Sequence, residues 1–252
     1  MTGEQAQQGV DTANADFWTE LCGSHLAREI GVTDASAASL ARFDQAYFDV
    51  YPYLGRYLPW HSGERVLEIG LGYGTVGQAL AQRGLDYHGL DISPGPVAIP
   101  HPDESFAVVV SIGCLHHTGD LAGAVAEVRR VLRPGGEALV MVYNSHSYRR
   151  AVMLPVQTLR GGVWRDSRRR AEFVRAAYDS NTDGVAAPTT EFTSVAGIRR
   201  LFAGFSQVKV RRENFDDFVL RVGARSLHIP RKAFLNNLAR IAGSDLYVSA
   251  RK

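Results

Sequence analysis

Arg65-Val-Leu-Glu-Ile-Gly-Leu-Gly-Tyr-Gly-Thr75 is the stretch that decides the fold. Its first five residues are mostly apolar and partly β-branched, as a short buried strand requires. Gly70, Gly72 and Gly74 follow as a tight turn, where the lack of a Cβ lets backbone approach a ligand closely. Val76 to Arg83 then takes helical spacing and stops at Gly84, the residue that helix C-termini favour. A strand entering a helix through glycines presents unpaired N–H groups to a bound molecule. Gly72-Tyr-Gly-Thr-Val-Gly77 fits the G-x-G-x-x-G dinucleotide pattern, and Asp91 falls 17 residues after Gly74, near the place of a ribose-binding acid. The loop alone admits NAD, FAD or an adenosyl ligand. Glu68, inside the strand, argues against a pyrophosphate, which its carboxylate would repel, and suits a cationic or amino-acid-bearing ligand.

Working outward, Tyr87 to Ile92 is a second strand ending beside an acid. Phe106 to Ile112 is a continuous apolar strand of the kind buried on both faces of a parallel sheet. Leu121 to Leu132 places Val125, Val128 and Leu132 on one helix face and Glu127, Arg129 and Arg130 on the other. Arg133-Pro-Gly-Gly136 ends that helix, and Glu137 to Tyr143 is a further strand. Strands alternating with helices predict an α/β, Rossmann-like doubly wound sheet. Later segments complete it: a capped helix at Thr193 to Phe202 and strands at Gln207 to Arg212 and Leu246 to Ala250, read as an antiparallel C-terminal hairpin.

Four motifs in order, Val66-Leu-Glu-Ile-Gly-Leu-Gly-Tyr-Gly74, Gly89-Leu-Asp-Ile-Ser93, Leu115-His-His117 and Val131-Leu-Arg-Pro-Gly-Gly136, resemble class I S-adenosylmethionine-dependent methyltransferases, in the branch acting on small molecules. The resemblance covers about residues 62 to 144. It implies that S-adenosylmethionine is bound and S-adenosylhomocysteine released. Gly70, Gly72 and Gly74 would pack on the methionine and ribose parts, beside Glu68. Asp91 would accept both ribose hydroxyls, Ile92 and Ser93 would lie along the adenine, and carbonyls of Gly113, Cys114 and Leu115 would hold the methionine ammonium. Methyl transfer to oxygen or nitrogen needs a base near neutral pH, which makes His116 or His117 the catalytic candidate. The alternative is that the pair only shapes the pocket. Tyr143 and Asn144 end a strand at the ligand edge and are substrate candidates, against the reading that they merely terminate it. No metal is required. An NAD(P)-linked oxidoreductase and a non-catalytic adenosyl-binding protein are the alternative functions.

The sequence departs from the family between its second and fourth strands. Only the 12 residues Pro94 to Ser105, four of them proline, stand where a helix and a third strand normally lie. The sheet is therefore expected without that strand and its preceding helix, with the gap near Ala98 and Ile99 a deletion or a segment missing from this chain. Ala107 also replaces the aspartate usual after the phenylalanine.

The chain of 252 residues, 45% hydrophobic and 21% charged, has room for one large domain or a domain with a cap, and excludes disorder, collagen and coiled coil. Residues 1 to 15 lack large apolar groups and read as a flexible tail. Residues 16 to 61 read as a helical cap, with Phe17, Leu21, Leu26 and Ile30 on one face. The aromatics from Phe43 to Tyr57 pack under the sheet or, Tyr51 among them, roof a ligand pocket. Residues 145 to 192 read as an inserted lid, and between Arg149 and Arg175 eight arginines stand against Asp166 and Glu172. Such a run is a solvated face or a selector for an anionic acceptor. Residues 193 to 252 complete the core around a second insertion, 214 to 243. No apolar run nears membrane-spanning length, the N-terminus lacks a signal-peptide pattern, and two cysteines make a disulfide framework unfavourable, so a cytoplasmic setting is expected. A net charge of +2 decides nothing by itself, but the arginine-rich insertion lacks the aromatic interleaving of single-strand platforms and carries no DNA-reading motif, which argues against nucleic acid. The oligomeric state is left open.

Overall fold

The computed structural model describes residues 3–18, 25–60, 62–91, 98–181, 183–222 and 225–252. Its main sheet has six strands: β1 (Arg65–Ile69), β2 (Asp86–Leu90), β3 (Phe106–Ile112), β4 (Leu132–Tyr143), β5 (Gln207–Glu213) and β8 (Asp245–Arg251), in the order β2-β1-β3-β4-β8-β5. Pairings from β2 through β4 are parallel, and β8 runs antiparallel to both β4 and β5. β6 (Phe218–Val222) and β7 (Arg225–Ile229) form a separate hairpin. The sheet is thus mostly parallel with an antiparallel end, and β2 is its outer strand among the described residues.

Strand alternation sends side chains to two cores. Leu67, Val109, Val140, Val142, Leu246 and Val248 face one side, where α5 (Leu121–Val131) and α8 (Val195–Leu201) contribute Val125, Val128 and Ile198. Val66, Val108, Val110, Leu139, Met141 and Tyr247 face the other, against α4 (Thr75–Ala81), Leu54, Leu58 and Trp60. Each fully buried aliphatic or aromatic side chain contributes about 1.5–3 kcal/mol, so the strands that carry the site are also the stable part of the molecule. Asp120 caps α5 through Gly123 N, and Ser194 caps α8 through Gly197 N.

The described part of the short link is held against α5. Ile99 is buried, its N–H donates to Glu127 Oε2 at 2.9 Å, and Arg130 donates to the carbonyls of Ile99 and His101 at 2.8 and 2.9 Å. Ile99 is thereby packed into the core that α5 forms with the Leu67 and Val109 face of the sheet.

The expected flexible tail is corrected: Gly3–Trp18 is a helix, α1, with Asp11 and Asn14 buried. Its anchors are hydrogen bonds to the β3 end of the sheet, Gln7 Nε2 to Thr118 O (2.8 Å) and Asn14 Nδ2 to His117 O (2.5 Å). The single helical face drawn from Phe17 to Ile30 is also divided, since α2 begins at His25 and ends at Glu29, and Leu21 lies outside the described residues. Ala37–Val50 forms α3.

After β4, a π-helical turn at Arg149–Met153 leads into α6 (Leu154–Arg160), followed by α7 (Ser167–Tyr178). Arg149 joins this insertion to the second one through two hydrogen bonds of 2.9 Å to the Asp216 carboxylate. α9 (Leu238–Ala242) precedes β8.

Candidate active site

The carboxyl ends of β1, β2, β3 and β4 open into a cavity of about 770 Å³, closed by α1, α3 and residues 176–181 after and at the end of α7. Gly70, Gly72 and Gly74 all have positive φ, of 80°, 51° and 80°. At Gly70 an added Cβ would lie 2.4 Å from Cys114 Cβ, so glycine lets the β1 and β3 ends close together. At Gly72 and Gly74 it would meet nothing within 4 Å, which leaves the turn open on its outer side. The stacked rings of Phe43 and Tyr73, 4.0 Å apart, and the Thr75–Asp44 hydrogen bond fasten α3 to this turn.

Glu68 lines the cavity floor and is only 3% exposed. Burial pushes its carboxyl up to about 7, although Tyr87 Oη donates to its Oε2 at 2.7 Å. Asp91 lies at the β2 end, where its Oδ2 accepts from Leu71 N at 2.8 Å and faces the cavity. Gly113, Cys114 and Leu115 line the same wall at the end of β3. Burial pushes the Cys114 thiol up to about 12, which suits a small wall residue and not a thiolate. Ile92 and Ser93 lie outside the described residues.

The two histidines separate on a short 3-10 turn, Leu115–His117, where neighbouring residues point about 120° apart. His116 is fully buried, packs on Tyr143 with rings 4.2 Å apart, and offers both ring nitrogens no partner in the described protein. Burial holds it well below the usual histidine range, and the ring does not line the cavity. His117 lines the cavity. Its Nδ1 lies 2.7 Å from Thr189 O, and a carbonyl only accepts, so Nδ1 carries the proton in the neutral ring and Nε2 the lone pair. Nε2 sits 3.6 Å from Asp179 Oδ2, and both atoms are buried without a hydrogen bond. Asp179 Oδ1 accepts from Tyr143 Oη at 3.0 Å. Burial raises the Asp179 carboxyl above its ordinary range, opposed by His117 and by the Tyr143 hydrogen bond.

Tyr143 and Tyr51 both line the cavity. Asn144 does not, and its reading as a substrate contact is corrected. It is fully buried, with Nδ2 donating to Gly243 O at 2.8 Å, which ties the end of β4 to the approach to β8, and Oδ1 accepting from His146 N at 3.0 Å in the local turn, so both polar ends are used within the protein.

Sequence reasoning missed Asp179 and Thr189, as well as Trp18, whose ring lies 4.8 Å from that of His117. One signal for Asp179 was present. It stands at the C-cap of α7, where the negative end of the helix dipole disfavours a carboxylate, so its placement there calls for another partner. None of the eight arginines of residues 149–175 lines this cavity, whose charged wall is Asp11, Glu68, Asp91 and Asp179 against Arg28.

A nucleotide-binding sheet with its glycine turn, an acid inside β1 and an acid directly after β2 defines a class I methyltransferase fold. The chain belongs to the methyltransferase-domain family, which matches it over residues 40–184. Among its relatives, the demethylmenaquinone methyltransferase of Tropheryma whipplei is 31% identical over 103 residues, 33% of this chain and 43% of that protein. The 27-O-demethylrifamycin SV methyltransferase of Amycolatopsis mediterranei is 29% identical over 160 residues, 54% of this chain and 57% of that one. The chain spans less than half the length of the quinone-related relatives it matches, 43% and 46%. In structure it is similar to a Haloferax volcanii methyltransferase solved with the Trm112 activator (TM-score 0.54, 15% identity, 86% of this chain and 95% of that one). Among the described residues no helix is long and apolar enough to cross a membrane, and no cluster of metal-ligating side chains occurs.

Proposed function

We propose that the protein transfers a methyl group from S-adenosylmethionine to an oxygen or nitrogen atom of a small-molecule acceptor, with His117 as general base. The observation that carries the role of His117 is the buried pair His117 Nε2 and Asp179 Oδ2, 3.6 Å apart on the cavity wall and unsatisfied within the described protein. Buried polar atoms without partners are rare, and two acceptors facing a cavity suit a ligand that brings an N–H or O–H.

The residues at the strand ends fit an adenosyl amino acid. The open outer side of Gly72 and Gly74, the Asp91 carboxylate and the buried Glu68 offer a close backbone approach, an acceptor for hydroxyls and an acidic floor. When bound, S-adenosylmethionine supplies a sulfonium methyl group and leaves as the neutral thioether S-adenosylhomocysteine. His117 takes the proton from the acceptor hydroxyl or amine at Nε2, while Thr189 O keeps Nδ1 protonated and the ring in place. Asp179 then faces the imidazolium and is itself held by Tyr143. Trp18 and Tyr51 add ring surfaces to the cavity lining. The acidic wall disfavours an acceptor whose reacting part is already anionic. A cytoplasmic setting suits the unpaired Cys114.

The test is calorimetry with S-adenosylhomocysteine, followed by transfer of a tritiated methyl group to a panel of phenols and amines. Saturable binding and product labelling that His117→Ala removes are expected. Absence of binding by either adenosyl compound refutes the function, and unchanged labelling in His117→Ala refutes the base.

A further inference from the structure

A second cavity, of about 640 Å³, lies between α6 and α7 and shares no lining residue with the first. Its walls are of two kinds. Leu154, Leu159, Trp164, Val174 and Phe192 give it an apolar surface, and Arg150, Arg170 and Arg175 bring three guanidinium groups to it. No acidic side chain lines it. Among the described residues, none of these three arginines forms an ion pair. Arg170 donates to Trp164 O (3.1 Å), Arg175 donates to Ala187 O (3.0 Å), and the Arg150 guanidinium lies over the Phe192 ring, 4.0 Å from its centre. These contacts orient the groups without neutralising them. The volume is in the range of small-molecule sites, and the lining combines an apolar body with a few convergent polar groups, as such sites do.

We propose that this cavity binds an amphipathic anion, a flat apolar body carrying a carboxylate, sulfonate or phosphate. The apolar wall takes the body, Trp164 and Phe192 offer ring faces for stacking, and the arginines take the anion by charge-assisted hydrogen bonds. It gives the arginine-rich insertion the anion-selecting role its composition suggested, at a place separate from the methyl-transfer cavity. The two cavities nonetheless share a partition. Phe192 contacts Tyr143 and Tyr178 of the first cavity and Arg150 of the second, and Thr190, which lines the second, follows Thr189, whose carbonyl fixes His117.

The probe is naphthalene-1-sulfonate, with naphthalene-1-methanol as its uncharged counterpart, titrated calorimetrically into the full chain. The sulfonate is expected to bind at least about tenfold more tightly than the alcohol, and Arg150→Gln/Arg170→Gln to weaken it at least about tenfold, since two solvent-reachable charged contacts of about threefold each combine to about tenfold. Arg170 is exposed, so Arg170→Gln alone is the variant that keeps the fold, and it is expected to weaken the probe by about threefold or more. The indole N–H resonance assigned through Trp164→Phe should shift on titration, and saturating S-adenosylhomocysteine should leave probe affinity unchanged. Equal affinity for sulfonate and alcohol, indifference to both arginine variants, or displacement by S-adenosylhomocysteine would overturn the proposal. Failure of S-adenosylhomocysteine to bind overturns the methyltransferase reading alone, because the probe experiment does not depend on it.

Discussion

Glu68→Gln removes one buried titrating group while keeping an acceptor for Tyr87 Oη. In the native protein burial pushes the Glu68 carboxyl up to about 7 from an ordinary 4.5, so the folded state holds its proton more tightly than the unfolded chain does. Its contribution to stability is therefore fully present below the unfolded value and is lost as pH rises through the folded one. Linkage over that interval gives a loss of about 2.5 kcal/mol between about pH 5 and about pH 8 from this residue alone. Because Glu68 is 3% exposed, little solvent screening reduces the figure. Urea unfolding of wild type and Glu68→Gln, without ligand, at both ends of that range measures it. Other groups titrate in both proteins, so the quantity is the difference between the two pH slopes. The wild type should lose about 2.5 kcal/mol more than the variant. Parallel slopes, or a steeper one in Glu68→Gln, would refute the assignment of a buried and protonated Glu68.

The histidines give opposite results. His117→Ala should lower the methyl-transfer rate about 10²–10⁴-fold with S-adenosylhomocysteine affinity nearly unchanged, whereas His116→Phe, which keeps the ring packing on Tyr143, should retain activity in the same assay. Asp179→Asn should reduce kcat about tenfold or more with a smaller change in acceptor KM, since it removes a charge that matters only once His117 is protonated. Gly70→Ala, at φ 80° and with its Cβ driven to 2.4 Å from Cys114, should lower stability by about 2 kcal/mol or more in a thermal melt. Gly74→Ala has the same strain but open space, and should cost only about 1 kcal/mol.

What was legible in the chain was what neighbouring residues determine. Arg65 to Ile69 and Phe106 to Ile112 appear as strands at the expected bounds because apolar β-branched runs between turn residues have few other solutions. The glycine turn and Asp91 followed from the same local logic. α1 was not legible, since it is held by Gln7 and Asn14 donating to distant carbonyls, and no hydrophobic period records such bonds. Asn144 and Tyr143 are adjacent polar residues at one strand end, and which of them turns to solvent space depends on Gly243, nearly a hundred residues later. Asp179 reaches His117 only through the path of α7, which its arginine-rich sequence does not announce.

The outer position of β2 has a consequence for how copies of the chain behave toward one another. Among the described residues, β2 pairs only with β1, leaving a row of backbone donors and acceptors along its other side. Unpaired edges of this kind invite strand addition from another molecule and can seed aggregation. Here the edge is five residues long, includes Gly89, and carries Asp86 and His88 next to Arg65, with Arg65–Asp86 and His88–Asp86 contacts of 3.4 and 3.3 Å. A strand adding to this side would have to strip water from those groups, so a sheet that ends on β2 relies on three polar side chains to keep its border from propagating.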